Sequence, residues 1–142
     1  MENIKIISNS PLDTINIAKI IASKLSTGDT IVLLGELGAG KTKFTEGFLS
    51  YYSMEDEISS PTFNIVNEYK NEKTTIYHFD VYRLSEIDEF YAIGGEEYFS
   101  KGICIIEWGE IIEEALPKHY TKITIKKDEN DLEKRILCIE EK

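Results

Sequence analysis

The amino-acid sequence predicts an α/β fold with a mixed sheet. The run TIVLL at 30–34 is a continuous series of β-branched residues and leucines, which is typical of a buried parallel strand. GELGAGKT at 35–42 follows it directly, and Phe44 and Phe48 then recur at helical spacing. Further along, FNIVNEYK and TTIYHFDVYRL are separated only by NEK, which predicts an antiparallel hairpin. Strands of both directions are therefore expected in one sheet.

The spacing of hydrophobic residues predicts a strand and a helix before the glycine-rich segment. IKII at 4–7 predicts a short first strand. Residues 13–25 carry isoleucines and a leucine at helical spacing, and the polar segment Thr27, Gly28, Asp29 predicts the end of that helix.

The C-terminal half predicts one buried strand and a second hairpin. An acidic segment at 86–91 predicts a short helix before Gly94 and Gly95. GICIIEWGE predicts a buried strand at 103–106 that ends in Glu107. ITIKK and RILCIEE alternate on either side of the turn-like DENDLE, which predicts a terminal antiparallel pair.

Composition narrows the class of protein. The 142 residues, 42% of them hydrophobic, predict a single domain over 1–142. The net charge of −10 opposes stable direct binding to nucleic acid; it suits a basic protein partner, or simply solubility. No apolar run approaches a membrane span and MENIKIISNS lacks signal-peptide features, so we expect a cytoplasmic protein without membrane contact. Cys104 and Cys138 lie in apolar runs and are expected to be buried thiols.

GELGAGKT fits the phosphate-binding pattern G-x-x-x-x-G-K-[ST] at every fixed position. Its glycines, Gly35, Gly38 and Gly40, allow the backbone to approach a phosphate closely. Lys41 is placed to bridge phosphates, and the Thr42 hydroxyl suits Mg²⁺. A turn without a ligand would explain the glycines but not a Lys-Thr pair at a helix N-terminus.

A magnesium site of this kind needs a carboxylate at the end of a neighbouring strand, and Glu107 is the predicted residue. The alternative for Glu107 is an exposed strand-end acid. Trp108, the single tryptophan, either shields that carboxylate or belongs to the core.

HFDVYRL contributes a second carboxylate, Asp80, among apolar neighbours. We expect Asp80 to orient the attacking water or to support the Mg²⁺ shell. His78 shares the strand face of Asp80 and is expected to be a hydrogen-bonded structural histidine.

The segment SSPTF presents the hydroxyls of Ser60 and Thr62 around Pro61. Such a loop either senses a γ-phosphate or is an ordinary Ser/Pro turn. Arg83 either stabilises charge in a reaction or forms a salt bridge at the strand flank.

Taken together, GELGAGKT, SPTF, HFDVYRL and IIEWGE closely resemble the motifs of the TsaE (YjeE) family of bacterial phosphate-loop ATPases over about residues 10–120. The resemblance implies a three-layer P-loop NTPase-like fold that binds ATP and Mg²⁺. It also implies an ATPase that assists TsaD and TsaB in making N6-threonylcarbamoyl-adenosine at position 37 of tRNAs reading ANN codons.

The resemblance carries over to individual positions. The family's phosphate cradle matches Gly38, Ala39, Gly40, Lys41 and Thr42, preceded by Gly35, and its Mg²⁺ ligands match Thr42 and Glu107. Its other signature positions are Asp80 and Trp108, with Thr62 in the switch-like loop. The resemblance therefore assigns catalytic roles to Asp80, Lys41 and Thr62 and a nucleotide contact to Trp108. It also places residues 10–14 beside the adenine.

Three other functions are compatible with parts of the sequence. A GTPase is disfavoured because no N-K-x-D motif occurs in the chain. A small-molecule kinase is disfavoured because only Arg83 and Arg135 could serve phosphoryl transfer as arginines. A nucleotide-switched binding module with little catalysis stays open, since regulation and slow turnover can share one site.

Overall fold

The computed structural model describes residues 3–36, 38–54, 65–81, 84 and 86–142. Seven strands within these ranges form one sheet with the order β1-β7-β6-β2-β5-β4-β3. They are β1 (Asn3–Ser8), β2 (Thr30–Leu34), β3 (Val66–Lys70), β4 (Thr75–Asp80), β5 (Ile103–Glu107), β6 (Thr121–Lys127) and β7 (Arg135–Glu141).

The sheet is mixed. Strand β2 pairs in parallel with β5 and β6, and β5 pairs in parallel with β4. The pairs β3–β4, β6–β7 and β1–β7 are antiparallel, so both predicted hairpins are confirmed. Because β2, β4 and β5 run in the same direction, their carboxyl ends meet at one edge of the sheet, where ligands of open α/β sheets bind.

Within the described residues, three α-helices and two 3₁₀ segments cover the sheet. They are α1 (Pro11–Ala22), α2 (Lys41–Tyr51) and α3 (Ile87–Ala92), with 3₁₀ turns at Gly95–Ser100 and Gly109–Ala115. Helix α1 begins two residues before the predicted start because the Ser10 hydroxyl accepts a hydrogen bond from the Asp13 amide at 3.1 Å. None of the helices in the described ranges has the length and apolar character to cross a membrane.

Hydrophobic residues pack on both faces of the sheet. Side chains such as Ile31, Leu33 and Ile105 join Phe44 and Phe48 of α2 in one buried cluster. Their sequence neighbours Cys104 and Ile106 point the other way, into a cluster that includes Phe90 of α3 and Ile112, as alternation along a strand requires. The predicted three-layer α/β fold with a mixed sheet is therefore confirmed.

Helices α1 and α2 touch closely at Gly47. A Cβ on this residue would lie 2.3 Å from the carbonyl oxygen of Ile15. Glycine therefore sets the distance between the two helices, and with it the position of the α2 N-terminus above the sheet edge.

Candidate phosphate-binding site

The glycine-rich loop joins β2 to α2 at the carboxyl edge of the sheet. Gly38 and Gly40 have φ angles of 81° and 110°, which side-chain-bearing residues rarely adopt. At Gly35 a Cβ would approach the backbone oxygen of Ile125 to 2.9 Å. The loop conformation therefore depends on Gly35 and Gly40, which the motif specifies, and also on Gly38, which it does not.

The N-terminus of α2 has the properties of an anion site. Gly40 precedes the helix and provides no side-chain cap, whereas Ser10 caps α1. The first turn of α2 contains no acid and instead carries Lys41 and Lys43. Without a ligand, a positive side chain at the positive end of the helix dipole destabilises the helix by a few tenths to about 1 kcal/mol. An anion bound there would interact favourably with both the lysines and the helix dipole.

Lys41 and Glu107 come together at this edge. Lys41 Nζ lies 3.8 Å from Glu107 Oε1 and 4.7 Å from the centre of the Trp108 ring. The side chains of Lys41 and Glu107 are only 12% and 16% exposed. Trp108 also packs against the hydrophobic cluster that contains Phe79 and Ile106, so its ring serves the core and contacts Lys41 as well.

Glu107 has a second, closer partner. His78 Nε2 lies 2.6 Å from Glu107 Oε2, and since an ionised carboxylate only accepts, the imidazole nitrogen donates. Burial by itself raises the pKa of the Glu107 carboxyl, but the hydrogen bond and charge of His78 and the charge of Lys41 outweigh it. The pKa therefore lies below its ordinary value, and the carboxylate is ionised at neutral pH.

Asp80 is the partner of Glu107 across the β4–β5 pair. Paired residues on neighbouring parallel strands point to the same face, and the strands are about 4.8 Å apart. The two predicted carboxylates therefore lie at adjacent strand ends, on the face of the sheet that α2 covers.

The remaining predicted residues differ in how far the structure describes them. Thr42 is an exposed residue in the first turn of α2, beside Lys41. Ala39 is buried within the loop. Ser60, Thr62 and Arg83 lie outside the described residues.

Two contacts at the loop were not predicted from the sequence. Arg135, at the start of β7, donates from Nε to the Ala39 carbonyl oxygen at 2.9 Å and from Nη2 to that of Gly38 at 3.3 Å. Lys127, its partner across the β6–β7 pair, brings Nζ to 3.2 Å from the position of a Gly38 Cβ. Ninety-six residues separate Arg135 from Ala39, so no local pattern could have indicated this contact.

Cavities lie on both sides of the loop. One of about 440 Å³ is lined by Leu34 at the end of β2, Lys41 at the start of α2, and Trp108 and Glu110 after β5. The other, of about 170 Å³, is lined by Pro11, Thr14, Gly38, Gly40, Lys43, Leu132, Glu133 and Arg135. The second cavity contains part of the 10–14 segment that the family resemblance placed beside the adenine.

One known protein family matches most of this chain. The family described as "Threonylcarbamoyl adenosine biosynthesis protein TsaE" matches residues 8–136. The chain belongs to the TsaE family. This match includes the glycine loop, both carboxylates and Arg135.

Individual relatives agree with the family match. The chain is 41% identical to the tRNA threonylcarbamoyladenosine biosynthesis protein TsaE of Bacillus subtilis, over 92% of this chain and 82% of that protein. It is 40% identical to the TsaE protein of Rickettsia bellii, over 92% of each chain. A crystal structure of Bacillus subtilis YdiB superposes with a TM-score of 0.77 at 36% identity, covering 97% of this chain and 84% of that one.

Proposed function

We propose that this TsaE-family chain is a magnesium-dependent ATPase that assists TsaD and TsaB in the threonylcarbamoyl modification of adenosine 37 in tRNAs reading ANN codons. The observation that carries the proposal is the meeting of Lys41 and Glu107 beside the uncapped N-terminus of α2. A cation for phosphate and a carboxylate for the metal are the two charges that a Mg²⁺-nucleotide site requires.

The loop residues fit a polyphosphate. The backbone N–H groups of Gly38, Gly40, Lys41 and Thr42 at the start of α2 would bind the phosphates, with the Lys41 side chain as a point charge. The 3.8 Å contact between Lys41 and Glu107 is long for a charge-assisted hydrogen bond, so Lys41 can exchange that carboxylate for a phosphate oxygen at small cost. Trp108 would help to hold the Lys41 ammonium group, which lies 4.7 Å from the centre of its ring.

The two carboxylates would divide the chemistry. Glu107, fixed through His78, would hold Mg²⁺ together with the Thr42 hydroxyl, while Asp80 would orient the attacking water. When bound, Mg²⁺ would neutralise part of the charge that develops on the transferred phosphoryl group. Thr62 is proposed from the family motif alone to contact the γ-phosphate.

The two cavities suggest the direction in which the nucleotide lies. The cavity beside Lys41 and Trp108 lies at the carboxyl ends of β2 and β5 and would take the terminal phosphate. The cavity beside Pro11 and Leu132 is on the other side of the loop and would take the nucleoside. Leu132 is 92% exposed, so an adenine ring would cover apolar surface there.

The alternative is a nucleotide-switched module whose bound ATP is read by partners without turnover. Two measurements separate these functions. ATP hydrolysis is measured for the wild-type chain and for Lys41→Ala, each alone and with TsaD and TsaB. Binding of the wild-type chain to TsaD and TsaB is measured with ATP, with ADP and without nucleotide. Partner-dependent hydrolysis that Lys41→Ala abolishes supports the proposal. Nucleotide-dependent binding to the partners without any hydrolysis supports the module. If the chain shows neither hydrolysis nor nucleotide-dependent partner binding, both functions are overturned.

A further inference from the structure

We propose that Arg135 is a positioning residue that holds the glycine loop in its phosphate-binding conformation from the side opposite the proposed phosphates. The inference rests on the proposed nucleotide function and extends it to a residue in the C-terminal hairpin. Its basis is a set of hydrogen bonds from one guanidinium group to four backbone carbonyl oxygens.

Two of these bonds hold the loop and two hold the arginine. Nε and Nη2 donate to Ala39 and Gly38, as described above. Nη1 donates to the carbonyl oxygens of Leu132 at 2.7 Å and Lys134 at 2.9 Å. The guanidinium plane is therefore fixed by its own hairpin before it reaches the loop, which reduces the entropy lost at the loop contact.

The bond to Ala39 sets the direction of one amide in the cradle. A trans peptide unit is planar, with its carbonyl and its N–H pointing in opposite directions. When Arg135 holds the Ala39 carbonyl outside the loop, the N–H of Gly40 in the same peptide unit points away from Arg135, to the opposite side of the loop. No atom of the described residues lies within 4 Å of a Cβ built on Gly40, so crowding by them does not impose its positive φ.

The bond to Gly38 acts on the preceding peptide unit. The N–H of Ala39 in that unit donates to the Glu36 carbonyl oxygen at 3.0 Å, which closes a turn within the loop. Arg135 on one side and Glu36 on the other thus orient this peptide from both ends. Loss of Arg135 should loosen the Ala39–Glu36 hydrogen bond, a change that can be measured without any nucleotide.

The hairpin that presents Arg135 is itself ordered by local hydrogen bonds. The Asp128 carboxylate accepts from the amides of Asn130 and Asp131 at 3.0 and 2.9 Å. The amide of Asp128 donates to the Lys134 carbonyl oxygen at 3.2 Å, which joins the two strand ends. The β6–β7 turn is therefore ordered by its own hydrogen bonds. Through Arg135, the sheet positions the glycine loop even without a ligand.

Arginine is needed here for its shape. Lysine would preserve the positive charge, but three donors on one nitrogen cannot reach carbonyl oxygens on both the loop and the hairpin in the fixed plane of a guanidinium. Charge-based phosphate binding and carbonyl-based positioning therefore make different predictions for Arg135→Lys.

The test compares Arg135→Lys and Arg135→Ala with the control Lys126→Ala, which removes one exposed positive charge from the same hairpin. ATP affinity is measured by calorimetry, and amide hydrogen exchange is followed by NMR in the nucleotide-free protein. Both Arg135 variants should lose about 10- to 100-fold in ATP affinity, and Lys126→Ala less than about 3-fold. Exchange at Ala39 should accelerate in both variants while amides of β2 and β5 keep their protection.

The outcomes are separable. Wild-type ATP affinity in Arg135→Lys would show that charge alone matters and would overturn the inference. Unchanged exchange at Ala39, or acceleration that extends equally to β2 and β5, would also overturn it, because the role would then be absent or merely structural. If the wild-type chain binds no ATP, the proposed function fails, and faster exchange confined to Ala39 would still support positioning of the loop.

Discussion

His78 Nε2 lies 2.6 Å from Glu107 Oε2, so the carboxylate proposed for magnesium is held by a neighbouring strand. Both side chains are largely buried, at 7% and 16% exposed. The hydrogen bond leaves Oε1, the oxygen nearer Lys41, directed towards the proposed ligand site. The predicted structural histidine is therefore hydrogen-bonded through Nε2, while its buried Nδ1 has no partner in the described residues, and it fixes the orientation of a proposed functional carboxylate.

We expect His78→Leu to reduce the free energy of unfolding by about 1 to 3 kcal/mol at pH 7, because Glu107 would keep a buried oxygen without its donor. His78→Gln, which retains an N–H donor, should lose less. The control is the exposed His119, whose substitution by Gln should change stability by no more than about 0.5 kcal/mol. Urea unfolding of the three variants measures this, and equal stability of His78→Leu and wild type would contradict it.

The roles of Glu107 and Asp80 can be separated by a magnesium titration. We expect Glu107→Gln to weaken the Mg²⁺ dependence of ATP binding, because the metal loses a charged ligand. Asp80→Asn should spare binding and lower kcat by about 100-fold or more, since a group that orients water acts mainly in the transition state. Identical binding and turnover profiles for the two variants would be incompatible with this division.

Much of the fold could be predicted because its signals are local. The continuous run at 30–34, the run ending in Glu107 and the two hairpin pairs are short patterns whose physical meaning does not depend on distant residues. The 3₁₀ turn at Gly109–Ala115 was not predicted, since its shape follows from packing Ile112 into the core and Gly109 against Val32.

The site was less predictable where contacts are distant in sequence. Carboxyl ends of parallel strands meet at one edge, so the closeness of Lys41 and Glu107 could be expected from the motifs. The contact of Arg135 with the loop depends on the position of β6 and β7 beside β2, and a single sequence does not encode strand order in any local pattern. Roles for Ser60, Thr62 and Arg83 remain predictions.

Gly47→Ala should destabilise the protein, although alanine usually stabilises a helix by about 1 kcal/mol relative to glycine. The added Cβ would lie 2.3 Å from the Ile15 carbonyl oxygen, and backbone cannot move aside as a flexible side chain would. We expect a loss of about 1 to 3 kcal/mol, measured by thermal or urea unfolding. Glu46→Ala on the same helix is the control, and an increase in stability for Gly47→Ala would refute the close packing of α1 on α2.

The two cysteines should differ in reactivity. Cys104 is buried and Cys138 is half-buried, so only the burial predicted for Cys104 is fully confirmed. Burial raises the pKa of the Cys104 thiol to about 12. Iodoacetamide should therefore modify Cys138 faster than Cys104 in the native protein at pH 8, and equal rates measured by mass spectrometry would contradict the structure.

The Cys104 thiol also makes the stability of the folded protein depend on pH in the alkaline range. Above the ordinary thiol pKa of about 8.5, the unfolded chain loses a proton that folded Cys104 retains, so the stability it contributes is complete below that pH and decreases as pH rises towards 12. By pH 10 the loss of unfolding free energy from this thiol amounts to about 2 kcal/mol. Wild type should therefore lose more stability than Cys104→Ala between pH 8 and 10, and parallel curves would exclude this contribution.

The most direct test of the nucleotide site is calorimetric titration of ATP, with Mg²⁺ and with EDTA, into wild type and Lys41→Ala. The control is Lys19→Ala, which removes an exposed charge from α1. We expect wild type and Lys19→Ala to bind ATP more tightly with Mg²⁺, and Lys41→Ala to lose about 1.5 to 3 kcal/mol of binding free energy. ATP binding by Lys41→Ala with wild-type affinity would contradict the assignment of the 35–42 loop as the phosphate site.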